Sequence, residues 1–201
     1  MGCTHYGDNK IEIGGINMDM RLNYIVGYCP EVAIWKMLAD ISRVAQEKRC
    51  ALSPSSIIVD GNAFLLANDA SASPEFQAPE HTDNSTLTEA QMVWTLGSIA
   101  YYMSSGHIIF GGKGGAYQRE HPSVALPVLQ KAHLALTPVL QRCLCADPST
   151  RITLKDLERM ATQNVKACEC RERESAPSSI REEDKSYGLS DNWPENMEET
   201  V

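Results

Sequence analysis

From Pro30 onward, apolar residues recur at three- and four-residue steps. Ile34, Trp35, Leu38, Ile41 and Ala45 share one helical face. Pro30 suits a first turn, and Lys48-Arg49 bring cations to the end where the helix dipole favours them. The period then shortens. Ile57-Ile58-Val59 and Ala63-Phe64-Leu65-Leu66 flank Asp60-Gly61, which predicts a β-hairpin. Residues 67–87, rich in Ser, Ala, Pro, Asn and Asp, read as a loop. Thr88 is placed to cap a helix that runs to about Ser105 and stops at Gly106. That helix is apolar on nearly every face, as a helix inside a protein core is. Further helices are expected over 123–134, 137–145 and 153–168. The last carries a stripe of Leu154, Leu157, Met160, Ala161 and Val165. Besides the hairpin, only Ile11–Ile13 reads as a strand. The predicted fold class is mainly α with a small β-hairpin.

Composition changes this picture chiefly at the ends. The 201 residues suffice for one domain with a full core and no disulfide staples. From Glu169 onward ten acidic residues face four basic ones, which accounts for most of the net charge of −8. Such a segment is expected to be a disordered acidic tail. The expected organisation is therefore an N-terminal segment 1–29, a domain over 30–168 and a tail over 169–201. With no basic block, nucleic acid is not an expected partner. No apolar run approaches the roughly 20 residues of a membrane span, and no secretory signal opens the chain. Met1-Gly2-Cys3 is followed by Tyr6 where a myristoylation signal has Ser or Thr. Seven Cys, an odd count without a framework, favour a reducing, cytoplasmic setting.

Five motifs occur in one order. Ala51-Leu52-Ser53-Pro54-Ser55-Ser56-Ile57-Ile58-Val59 precedes the hairpin and Gly61 to Ala67 forms it. Ala78-Pro79-Glu80 comes next, then Val93-Trp94-Thr95-Leu96-Gly97 on the central helix. Cys143-Leu144 through Asp147-Pro148 to Arg151 ends the series. Over residues 30–167 this series resembles the C-terminal lobe of a eukaryotic-type protein kinase, from the catalytic loop to the late Cys-Leu-x-x-Asp-Pro-x-x-Arg motif. The resemblance implies a kinase-like C-lobe fold and a structural ion pair between Glu80 and Arg151.

It also implies what is missing. Phosphoryl transfer needs a carboxylate for the substrate proton, and an Asn and a second Asp to hold Mg²⁺. The matching positions for the catalytic Asp, the Lys, the metal-binding Asn and the Asp-Phe-Gly Asp are Ala51, Ser53, Ser56 and Ala67, a one-residue shift putting the uncharged Asn68 at the last. The Asp that supports the catalytic loop from the central helix is Met92. An N-lobe is not expected within these residues, since the 29 before Pro30 cannot build its sheet and carry no Gly-rich ATP loop. An isolated, catalytically empty C-lobe is similar to the KIND domain, a kinase non-catalytic C-lobe module that binds peptides and proteins. The expectation is a non-enzymatic interaction or scaffold module with no cofactor and a protein or peptide partner. Residues 1–29 or a dimer partner would cover the site of the missing lobe. The alternative is half of a composite nucleotide-binding or phosphotransfer assembly that another chain completes.

Other candidate chemistry is thinner. Gly111-Gly112-Lys113-Gly114-Gly115 lacks the spacing and the Ser or Thr of a phosphate-binding Walker loop. It reads either as a plain connector or as a partner-binding loop with Phe110, Lys113, Tyr117 and Arg119. Cys143/Cys145 and Cys168/Cys170 are spaced by two, which points them to opposite faces of a helix and away from a shared metal. The five His form no metal-spaced pair. In the tail, Trp193, Pro194 and Met197 interrupt the acidic composition and read as a docking motif or as a strip that folds back onto the domain.

Overall fold

The computed structural model describes residues 20–22, 29–67, 72–82, 86–127, 129 and 135–175. The Ile11–Ile13 strand and the tail motif Trp193, Pro194 and Met197 lie outside them. The order of elements is β1 (Met20–Arg21), α1 (Glu31–Glu47), β2 (Ile57–Asp60), β3 (Ala63–Leu66), α2 (Glu89–Ser105), α3 (Gly115–Glu120), α4 (Thr137–Cys143) and α5 (Leu154–Ser175). The fold is mainly helical with one small antiparallel sheet of order β1-β2-β3.

The hairpin forms as the apolar pattern predicts. Ile57 pairs with Leu66 and Asp60 with Ala63 around Gly61, whose φ of +55° suits a residue without a side chain. Strand β1 is not legible in the sequence at two residues. It pairs Arg21 with Ile58, and the neighbouring Leu22 is fully buried. The Phe64 N–H donates to Asp40 Oδ2 at 3.2 Å, so α1 holds the outer strand by a side chain.

Helix α2 is the axle of the fold. Thr88 accepts from the Gln91 N–H while the Thr88 N–H donates to Gln91 Oε1, a reciprocal cap. Gly106 closes the other end at φ +72°. Nearly every residue between is buried, Trp94 and Ile99 completely. At Gly97 a Cβ would stand 2.6 Å from Cys143 Cβ, so α2 and α4 approach through the absence of that one side chain.

Two expectations are corrected. Residues 123–127 and Leu129 of the helix expected over 123–134 are not helical, and the other positions of that stretch up to 134 lie outside the described residues. Pro122 and Pro127 explain this, because each lacks an N–H and each steers the residue before it away from the α region. Helix α5 continues to Ser175, so the boundary between 168 and 169 falls inside an element. Its last turns lie along α1, where Lys36 meets Glu169 at 3.4 Å and Arg171 meets Glu31 at 3.6 Å. Arg43 and Glu158, at 3.1 Å, tie the opposite ends of the two antiparallel helices. Composition alone assigns 169–175 to the tail because the anchoring partners are on another helix.

Candidate functional site

Arg151 and Glu80 form a two-pronged ion pair. Arg151 Nη1 reaches Glu80 Oε1 at 2.6 Å and Nη2 reaches Oε2 at 2.8 Å. The Arg151 side chain is 1% exposed and that of Glu80 26%. Arg151 also donates to the carbonyls of Cys145 at 2.8 Å, Ala90 at 3.0 Å and Ala146 at 3.2 Å. One side chain thus joins the start of α2, the loop after α4 and the segment that ends at Glu80. A charge this deep is tolerated because each N–H direction meets an acceptor.

The stretch before the hairpin is closed upon itself. Ser56 Oγ donates to the Ser53 carbonyl at 2.8 Å and accepts from the Ser53 N–H at 2.9 Å. The Ser53 and Ser55 hydroxyls meet at 2.9 Å, and Arg21 Nη1 donates to the Ser55 carbonyl at 2.7 Å. The buried Ala67 donates its N–H to the Ser56 carbonyl at 2.8 Å. Ser53, Ser56 and Ala67 are therefore brought together, with Ala51 half-buried beside them in the chain. These four positions carry two methyl groups and two hydroxyls, both hydroxyls engaged locally. Met92 is buried on α2.

The segment Pro74–Glu80 is pinned along its length. Thr95 Oγ1 donates to the Phe76 carbonyl at 2.9 Å, and the Phe76 ring meets Tyr102 edge-on with centroids 5.8 Å apart. The Gly115 N–H donates to the Gln77 carbonyl at 3.1 Å. Added Cβ atoms at Gly114 and Gly115 would stand 2.2 Å from the Glu75 oxygen and 2.4 Å from the Gln77 oxygen. These two glycines thus let two backbones touch. Gly111 and Gly112 have open space around them.

The four candidate residues of this loop have different roles. Phe110, at the left-handed φ of +56°, stacks on Tyr117 at 5.8 Å, and Tyr117 stacks on His121 at 4.4 Å. The three rings form one partly exposed ladder. Lys113 pairs with Glu120 at 3.5 Å on the surface. Arg119 donates to the carbonyls of Pro79 and His81, both at 3.4 Å, and so fastens the end of the pinned segment. His121 belongs to this ladder and is missed by motif reading. So is Gln118, which is buried, accepts from Trp94 Nε1 at 2.9 Å and donates to the Leu144 carbonyl at 2.7 Å. A buried indole N–H needs an acceptor, which is a signal that one exists but not which residue supplies it.

Two buried thiols resist ionisation. Burial pushes the Cys143 thiol up to about 12 and the Cys29 thiol up to about 11. On α5, Cys168 is buried and Cys170 exposed, opposite faces as their spacing requires. Among the described residues, no group of three or more His, Cys, Asp or Glu side chains is arranged to hold a metal. No described helix is long and apolar enough to cross a membrane. A search of protein-family models finds no match to the chain, and neither does a search of the curated proteins.

Proposed function

We propose that this chain is a catalytically empty, kinase-type C-lobe, similar to a KIND domain, that works as a protein-interaction module. The observation that carries the reading is the chemistry at Ala51, Ser53, Ser56 and Ala67. Three of these adjoin through the Ser53–Ser56 turn and the Ala67–Ser56 hydrogen bond. Together they supply no carboxylate to accept a substrate proton and no anionic pair to hold Mg²⁺ against phosphates. The Glu80–Arg151 pair supports the C-lobe half of the reading, because it ties the two motifs that the resemblance implies should meet.

The docking face in this reading is the ring ladder Phe110, Tyr117 and His121 with Lys113 and Arg119 beside it. Aromatic and Arg side chains are the types enriched where proteins bind one another. The backbone beneath is held by the Gly115–Gln77 hydrogen bond, so the face is formed before a partner arrives. The test is quantitative capture of cell proteins on the immobilised chain. A partner retained by the native chain should be lost from Tyr117→Ala and Lys113→Glu, and kept by Ser56→Ala. Retention by the first two, or equal loss in all three, contradicts the assignment of this face.

A further inference from the structure

The ring ladder of the docking face is open at one end. Phe110 and Tyr117 stack within it, and the exposed His121 ends it. Among the described residues no further ring stacks on His121. The cations beside the ladder are weakly engaged. Lys113 meets Glu120 only through exposed side chains, a pair that water largely screens. Arg119 is exposed and bonds two carbonyls at 3.4 Å, with no carboxylate facing it among the described residues. Two such cations beside an open stack of rings suit a ligand that is both aromatic and acidic.

That chemistry occurs in the chain itself. From Ser186 to Val201 there are four acidic residues and no basic one, with Tyr187 and Trp193 among them. Asp191 and Glu195 stand two residues to either side of Trp193. This segment lies outside the described residues, but the element that leads to it does not. Helix α5 ends at Ser175, and its Arg171 meets Glu31 at the start of α1. Two residues before Glu31, the Cys29 N–H donates to the Met103 carbonyl in the last turn of α2 at 3.3 Å. The ladder begins seven residues after Met103, so α5 ends on the side of the fold that carries it. A second cationic cleft, of about 250 Å³ with Arg49 and Lys155 in its wall, lies at the opposite end of α5, and the Glu89 carboxylate shares that wall. Helix α5 has 22 residues, a length of about 33 Å. Trp193 follows Ser175 by 18 residues, a tether that averages about 25 Å end to end. Distance and the Glu89 carboxylate both favour the ladder.

We propose that residues 186–201 are an intramolecular ligand of the docking face, with the Trp193 indole at the open end of the ladder and its neighbouring carboxylates facing Lys113 and Arg119. The inference rests on the reading of this face as a docking surface and adds its regulation, since an outside partner must displace the tail. A short tether supplies an effective concentration on the order of millimolar, so a contact with a dissociation constant of about 0.1 mM is about nine-tenths closed.

The test is fluorine NMR of the full chain labelled with fluorotryptophan. Trp35 and Trp94 are completely buried and report on the fold, and Trp193→Phe identifies the third signal. In the native chain the Trp193 signal should stand away from that of the free peptide 186–201 and show little response to heavy water. Lys113→Glu, Tyr117→Ala and about 0.5 M salt should each move it at least halfway to the free-peptide position, with the two core signals unmoved. Arg49→Glu should leave it in place. The peptide 186–201, added to full-length Trp193→Ala, should bind saturably, and about fivefold more weakly when that chain also carries Lys113→Glu. A native Trp193 signal at the free-peptide position overturns the proposal. So does a displaced signal that only Arg49→Glu shifts, which would assign the tail to the other cleft. A signal that moves with chain concentration also overturns it and would assign the tail of a second copy. Partner capture separates this from the broader reading. A partner lost in Tyr117→Ala with the Trp193 signal unmoved would refute the tail contact and keep the face. The reverse pattern would keep the tail contact and remove the outside partner from this face.

Discussion

Arg151 and Glu80 stand 71 residues apart in sequence and share two hydrogen bonds of 2.6 and 2.8 Å. The pair is asymmetric, with the Arg151 side chain enclosed and the Glu80 side chain partly in solvent. Its two ends therefore respond differently to substitution. Arg151→Ala removes the donor of five hydrogen bonds and leaves the carbonyls of Ala90, Cys145 and Ala146 without it. The expected cost is about 3–5 kcal/mol, the range for breaking a buried pair. Glu80→Gln leaves an acceptor in place and Arg151 its three carbonyls. About 1–2 kcal/mol is expected there. Urea unfolding of both variants checks the order. Equal losses would mean that the carbonyl bonds contribute little.

The glycines of the loop before α3 make a matched comparison. A methyl group at Gly115 would enter the space of the Gln77 oxygen, while at Gly112 it would meet nothing within 4 Å. Gly115→Ala should destabilise by about 1–3 kcal/mol, as overpacking does. It should also raise amide exchange in residues 75–80 selectively. Gly112→Ala should stay within about 0.5 kcal/mol of the native chain. Similar exchange rates in the two variants would separate the glycine contact from the order of that segment.

Gln118 joins Trp94 to the Leu144 carbonyl from the middle of the core. Gln118→Leu keeps the bulk and leaves two buried polar groups unanswered. A loss of about 2–4 kcal/mol is expected, one to two for each orphaned group. The check is chemical denaturation together with the Trp94 indole N–H signal, which should lose its protection from exchange.

Cys143 gives an alkaline signature. Its thiol is held up to about 12 by burial, against an ordinary value of 9.0. A raised value means that the folded chain keeps a proton which the unfolded chain releases. The stabilisation is therefore complete below about pH 9 and is lost as pH rises toward 12, at no more than about 1.4 kcal/mol per pH unit. Cys143→Ala retains the Cβ that packs at Gly97 and should flatten this part of the pH–stability curve. Cys29, raised to about 11, should leave a smaller residual slope.

The local elements were legible where a period or a cap repeats. Thr88 and Gly106 bound α2, and Gly61 turns the hairpin, where the sequence places them. What pattern reading misses depends on contacts with distant residues. Strand β1 has two residues and exists only against β2. The last turns of α5 resemble tail by composition and are held by Glu31 and Lys36 of α1. Helix α3 is six residues long, with Gly114 before it and Gly115 at its start required by the backbone of Glu75 and Gln77. The candidate loop is legible from its glycine run and the flanking Phe110, Lys113, Tyr117 and Arg119, but the place of His121 on the ladder and of Arg119 under Pro79 required the fold.

The central claim is that the positions at Ala51, Ser53, Ser56 and Ala67 leave no site for a metal-bound nucleotide. Thermal unfolding with and without Mg·ATP tests it most directly. A nucleotide at about a hundred times its dissociation constant would add roughly 2.7 kcal/mol and raise the midpoint by several degrees. The account predicts the same midpoint in both solutions. A rise that requires both Mg²⁺ and ATP would contradict it and return the chain to the nucleotide-binding proteins.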